Sequence, residues 1–242
     1  MAKQISFPSG IQFRSHGVTN FSNILSLFDW SIESEEVVID LSRAKDLNYQ
    51  AFSLLISYAI SLQANNCQIR IVHSQNSEQM WRKLGAQDFR TVLYDTTSNF
   101  RSRQDKPLFA LRNSYDLQRD LVTARSYSKG FDIEYENTLG HILSEVMRNT
   151  LEHGRSSRYN RQNEPLLIPS LAQFNWYQRK DQLSFIIIDL GTGIKKQLER
   201  EYPGFDRHSE AIRKAIEPSV SGTFNQPSAY GGKDNAGMGL FD

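Results

Sequence analysis

Apolar residues recur along this chain with two periods. The run EVVIDLS over residues 36–42 is short, β-branched and unbroken, which predicts a buried strand. Residues 49–66, YQAFSLLISYAISLQANN, carry Phe52, Leu55, Ile56, Ala59, Ile60 and Leu62 near helical spacing. CQIRIVH over 67–73 predicts the next strand. SEQMWRKLGAQDF over 77–89 predicts a helix opened by Ser77 as its cap and closed near Gly85. Ahead of these, IQFRS predicts a strand and NFSNILSLFDW a helix. Alternating strand and helix predict a small α/β layer, with helices on a sheet, over residues 1–94.

Residues 95–107, DTTSNFRSRQDKP, are polar and rich in turn formers, and predict a linker. A second α/β domain is expected over 108–242. It opens with the strand LFALRN, followed by the helices YDLQRDLVTARSYS and IEYENTLGHILSEVMRNTLEH. A polar loop, GRSSRYNRQNEP, precedes two strands, SLAQFNWYQRK and QLSFIIIDLG, joined as a hairpin around Lys180 and Asp181. The glycine-bearing remainder holds one further predicted helix, HSEAIRKAIE.

Composition narrows the function classes. At 39% hydrophobic and 23% charged residues, the chain of 242 residues can build packed cores. A net charge of +1 argues against a domain-wide basic field for nucleic acid or a membrane surface. Cys67 is the single cysteine, so an internal disulfide and a cysteine zinc site are both excluded. The start, MAKQISFPSG, lacks a long apolar segment, and no run is long enough to span a bilayer. A cytoplasmic location is therefore expected.

Three short stretches carry the candidate chemistry. In SEVMRNTLEHG, the residues Leu139, Ile142, Leu143, Val146, Met147 and Thr150 are expected on one side of a helix. Fourth residues drift only about 40° around a helix, so Glu145, Asn149 and His153 form a polar stripe bordering that side. A carboxylate there is costly to bury unless something charged or hydrogen-bonding meets it, and a magnesium–phosphate group is one such partner. The amide oxygen of Asn149 is a hard ligand for magnesium, and Glu145 can orient or deprotonate a hydroxyl or water. A solvated helix edge has the same spacing. In FIIIDLGTGI, Asp189 ends a buried strand and can accept a hydrogen bond from an amino group, with Gly191 and Gly193 allowing close approach. In GGKDNAGMGL, repeated glycines expose N–H groups of the kind that cradle anions.

The ordered set resembles the GHKL ATPase superfamily, which includes histidine kinases, gyrase-type ATPases and the anti-sigma-factor serine kinases. SEVMRNTLEHG resembles its N box, IDLGTGI its first glycine box and NAGMGL its second. The resemblance covers roughly residues 107–242, and the Asn-x-x-x-His-Gly ending is most like the anti-sigma kinase branch. It implies a Bergerat α/β sandwich binding ATP and magnesium. By position, Asn149 would hold Mg²⁺, Glu145 would be the catalytic carboxylate and Asp189 would read adenine, with Gly193 close to the ring and Gly191 among the cofactor-binding residues. Gly237 and Gly239 would bind phosphate at the hinge of a lid over 194–236. His141 and His153 are read as structural histidines. The family continues past G-x-G-L with a helix and more strands. A chain stopping at Asp242 therefore implies an incomplete C-terminus, and a sheet edge open to homodimerisation.

VVIDLSRAKDLNYQAFSLLISYAISLQANNCQIRIV resembles a STAS domain, the fold of anti-sigma-factor antagonists. Where that family carries a phosphorylated serine, this chain reads Asn48-Tyr49-Gln50-Ala51, so phosphorylation at that place is not expected. The fold class expected is a STAS-like α/β module followed by a GHKL α/β sandwich. The function expected is a Mg-ATP-dependent kinase or ATPase controlling a regulatory protein partner. Two alternatives stay open: a STAS-based scaffold with a vestigial nucleotide pocket, and an ATP-driven dimerising clamp.

Overall fold

The computed structural model of the chain describes residues 2–12, 14–15, 18–19, 22–152, 154, 156–159, 162–177, 182–217 and 220. These residues form a mixed α/β protein built on small open sheets, without a barrel. The chain divides into two compact units: Met1–Ala110 with Ser157–Ile188, and Leu111–Ser156 with Asp189–Asp242. None of the described helices is long and apolar enough to cross a membrane.

The first unit opens with β1 (Lys3–Ser6), β2 (Gly10–Ile11), β3 (Arg14–Ser15), β4 (Val18–Thr19) and the short helix α1 (Ser22–Leu25). The helix read over NFSNILSLFDW is thus limited to one turn, with Asn20 and Phe21 outside the described residues. Next come β5 (Glu36–Leu41), β6 (Asp46–Leu47), α2 (Tyr49–Ala64) and β7 (Gln68–His73). β1, β5 and β7 pair in parallel, with Ile5 opposite Ile39 and Ile39 opposite Ile71. β1 was not anticipated, because KQIS is too polar to stand out by apolar pattern. It forms because its backbone completes the edge of β5.

α2 starts where Asn48, in an extended conformation, accepts a hydrogen bond from the Ala51 N–H at 3.0 Å. Removing that acceptor by Asn48→Ala is expected to cost about 1 kcal/mol in urea unfolding, with Asn48→Asp close to wild type. Fourteen of the sixteen residues of α2 are buried, so it is a central helix rather than an amphipathic surface one. It packs on β7 on one hand and on later strands of the same unit on the other. Tyr58 stacks on Phe28 at 4.6 Å, meets Trp30 edge-on at 5.1 Å, and donates to the Asp29 carbonyl. Burial pushes its hydroxyl up to about 12.

The helix predicted to close near Gly85 is α3 (Gln75–Lys83), and a further helix not anticipated, α4 (Phe89–Tyr94), follows it. The cap is Ser74, not Ser77; Ser77 closes the capping box by accepting from the Ser74 N–H. Gly85 breaks the helix at φ +66°, and a Cβ there would lie 2.6 Å from the Arg101 backbone, so the close approach also requires glycine. Residues 95–107 hold no helix or strand. They are tied back by Arg101, whose guanidinium and backbone N–H donate to Asp88 and hold its carboxyl below the usual range.

The remaining strands are β8 (Leu108–Leu111), β9 (Ser156–Tyr159), β10 (Pro165–Ile168), β11 (Ser170–Tyr177) and β12 (Gln182–Ile188). β11 and β12 are antiparallel, Phe174 opposite Phe185, as the predicted hairpin requires; its turn at Lys180 and Asp181 lies outside the described residues. β9 lies within what was read as a polar loop and pairs with β10, which starts at that loop's last residue; Ser, Arg and Pro mask strand character in a short pair. Apart from the ends of β8 and β9, these strands belong to the same unit as α2, which packs on β10, β11 and β12.

The second unit holds α5 (Ser114–Ser128), α6 (Ile133–Glu152), α7 (Ile194–Leu198) and α8 (His208–Ala215). α5 and α6 pack together. The buried row of α6 is Gly140, Leu143, Met147, Thr150 and Leu151. It is rotated from the predicted apolar side, for Ile142 and Val146 are 46% and 37% exposed. α7 and α8 enclose a small cluster of Leu198, Ala211, Ala215 and Val220, with Tyr202 and Phe205 against it.

Candidate functional site

α6 positions Glu145 and Asn149 one turn apart and both half-buried. Each stands two residues from buried Met147, hence about 200° around the helix from it. The pair therefore faces away from the row packed on α5, instead of bordering an apolar core as the sequence pattern implied. Two side-chain oxygens, a carboxylate and an amide, share that side. His141, on the same stripe, is exposed, and His153 lies outside the described residues.

One turn further on, the end of α6 meets the turn that follows β12. The Gly154 N–H still bonds to the Thr150 carbonyl at 3.0 Å, so the helical course runs on to this residue. A Cβ placed on Gly154 would lie 2.7 Å from the Asp189 Cβ and 2.9 Å from its Cγ. A Cβ placed on Gly191 would lie 2.5 Å from the Gly154 Cα. Two motifs separated by all of β9 to β12 are thus in backbone contact, and only glycine fits on either side. Asp189 is exposed, and its Oδ1 accepts from the Gly191 N–H at 2.9 Å, which shapes the turn. Gly193 sits at φ +80° and opens α7. Sequence reading named Asp189 and Gly191 but gave Gly154 no role; its place directly after the Asn149 stripe was the available signal.

Gly237 and Gly239, and the segment 221–242 that holds them, lie outside the described residues. Among the described residues no group of three or more His, Cys, Asp or Glu could hold a metal ion. The donors on α6 are hard oxygens at half-exposed positions, a set suited to magnesium sharing its shell with phosphate and water. A cleft of about 860 Å³ lies in the first unit, lined by Gln63, Gln68, Arg70, Arg90, Tyr94 and neighbours, and none of the named site residues lines it.

The second unit also contains a charged cluster that sequence reading passed over. Asp116 and Asp120 are one turn apart on α5 and are 5% and 0% exposed. Arg119 reaches Asp116 at 3.0 Å and Asp120 at 2.8 Å, and Arg112 stands 3.8 Å from Asp116. Burial raises the Asp120 carboxyl from 3.8 to about 7 against the pull of Arg119. Its Oδ2 has no hydrogen-bond partner among the described residues. Acidic residues four apart, flanked by arginines, were the signal.

No protein-family model matches the chain, no curated protein matches it in sequence, and no solved structure matches it in fold.

Proposed function

We propose that residues 108–242 are a Mg-ATP-binding module of the GHKL type, serving a kinase or ATPase that controls a protein partner. The observation that carries this reading is the contact of Gly154 with Asp189 and Gly191, which joins the end of the Asn149 helix to the aspartate–glycine turn. In this reading Asn149 offers its amide oxygen to magnesium, Glu145 orients the attacking hydroxyl or water, and Asp189 accepts from an exocyclic amine. When bound, magnesium supplies charge neutralisation on the phosphates. Gly237 and Gly239 are assigned to the phosphates by motif alone. Residues 1–94, with the parallel β1-β5-β7 sheet and α2, are read as a STAS-like docking module. At the place of that family's phosphoserine, Asn48 is engaged in capping α2.

Calorimetric titration with Mg-ATP and Mg-ADP tests the reading. Asn149→Ala should weaken binding about tenfold to a hundredfold, as loss of a bond to a charged group does. Glu145→Ala should leave binding in place and lower turnover by about 10²–10⁴. Absence of binding by the wild-type chain at millimolar nucleotide ends the proposal. Phosphate appearing on a protein, against free phosphate only, separates kinase from ATPase.

A scaffold with a vestigial nucleotide pocket is the second reading, favoured by the position of the large cleft in the first unit, away from Glu145 and Asn149. It expects Glu145→Ala to leave cellular activity unchanged.

A further inference from the structure

The seam between α2 and the β11–β12 hairpin contrasts with the apolar packing on either side of it. α2 buries a polar row, Gln50, Ser53, Ser57 and Ser61, at helical spacing. Gln50 Nε2 donates to Ser184 Oγ on β12. Ser184 pairs across the hairpin with Asn175, so both side chains point to the α2 side. Gln173, two residues before Asn175, shares that face. Asn175 and Gln173 are both 0% exposed, and Gln50 is 6% exposed.

These amides are fully enclosed and only partly bonded. Gln173 Nε2 donates to the Phe174 carbonyl. Gln50 Oε1, Gln173 Oε1 and both polar atoms of the Asn175 amide have no hydrogen-bond partner among the described residues. Four such groups left dry would cost free energy comparable with the net stability of a domain. The lining carries no charge to balance a buried ion. It presents three acceptor oxygens and one donor nitrogen. Two waters, each able to donate two bonds and accept two, meet that set, and internal waters commonly make about three bonds to otherwise unmatched groups.

We propose that the seam between α2 and the β11–β12 hairpin is an internal water-binding site lined by Gln50, Gln173, Asn175 and Ser184. The waters join the STAS-like helix to strands contributed by the second half of the sequence, making that joint a hydrated one. Apolar cores bind two layers without direction; bridged amides fix the register of α2 along the hairpin.

A high-resolution crystal structure of the full chain tests this, together with rotating-frame NMR spectra of the same protein. The expected result is ordered solvent within hydrogen-bond distance of at least two of Gln50 Oε1, Gln173 Oε1 and the Asn175 amide. Cross-peaks from the Asn175 side-chain N–H protons to long-lived water should accompany it. Asn175→Leu should displace the ordered solvent from Gln173 Oε1 in the crystal structure of the variant. If that variant does not fold, Asn175→Ser keeps the lining polar and should retain solvent at Gln173 and Gln50. A dry seam, in which the three amides turn to bond one another or the main chain and no water cross-peak is seen, overturns the proposal.

Discussion

Replacing Gly191 by alanine is expected to cost about 3 kcal/mol of stability and to weaken Mg-ATP binding about tenfold. The added methyl would sit 2.5 Å from the Cα, 2.7 Å from the carbonyl carbon and 2.9 Å from the carbonyl oxygen of Gly154. Carbon atoms in optimal contact stand about 3.5–4.0 Å apart, so something must retreat by roughly 1 Å. All three opposing atoms are backbone, and no side-chain rotation relieves them. Retreat of the turn carries Asp189 with it, which is why stability and binding should fall together. Gly154→Ala meets the same obstacle from the other side, at the Asp189 Cβ and the Thr150 carbonyl. Because both changes open one contact, the double variant should lose less than the two single losses added. Thr192→Ala, in the same turn but exposed, is the control. Urea unfolding and nucleotide titration on the four variants and the wild type decide the matter. Wild-type stability in Gly191→Ala would mean that the helix end and the turn are not in contact. Lost stability with unchanged affinity would detach the contact from nucleotide binding.

That contact also marks where sequence reading stops. β5, α2 and β7 were legible because unbroken β-branched runs and helical spacing are local signals, and α6 was legible along nearly its whole length. The depth of α2 was not. Its serines and Gln50 carry no apolar signal, yet they are buried where strands of a second layer pack on the helix, and nothing local announces a covering layer. β9 and β10 were lost among arginine, serine and proline. The rotation of α6 has no local signal, for Ile142 and Val146 are apolar by type yet exposed. For the site, residue types could be named one motif at a time. Spacing placed Glu145 beside Asn149 on one helix stripe, and the structure keeps them there, though turned away from the row that packs on α5. The meeting of Gly154 with Gly191 is a long-range event, and a glycine at a helix end reads first as a helix stop.

Asp120→Asn is expected to raise stability by up to about 4 kcal/mol at pH 8 relative to wild type, and to leave much less difference at pH 4. The reasoning follows one proton. In the unfolded chain the carboxyl titrates near its ordinary value of 3.8, and in the folded protein burial raises it to about 7. Below the lower value both states hold the proton and the group adds no pH dependence. Between the two values the unfolded chain releases the proton while the folded chain keeps it, so stability falls as pH rises through that window. Above the upper value both states are ionised and the loss is complete. The orphaned Oδ2 is the atom that would carry the proton, while Oδ1 goes on accepting from the Arg119 Nε at 2.9 Å. Arg112, Asp116 and Arg119 are the charged groups that act on the carboxyl, and their charges are common to both proteins. Other carboxylates titrate in the same range, but they cancel when the variant is subtracted from wild type at each pH. Asparagine keeps the shape and an oxygen for Arg119 but cannot ionise, so any weakening of that bond enters as a constant. The decisive quantity is therefore the slope of the difference from urea unfolding between pH 4 and pH 8. A difference that does not change with pH would show that Asp120 folds as an ordinary ionised carboxylate, and that its pairing with Arg119 outweighs the burial of its second oxygen.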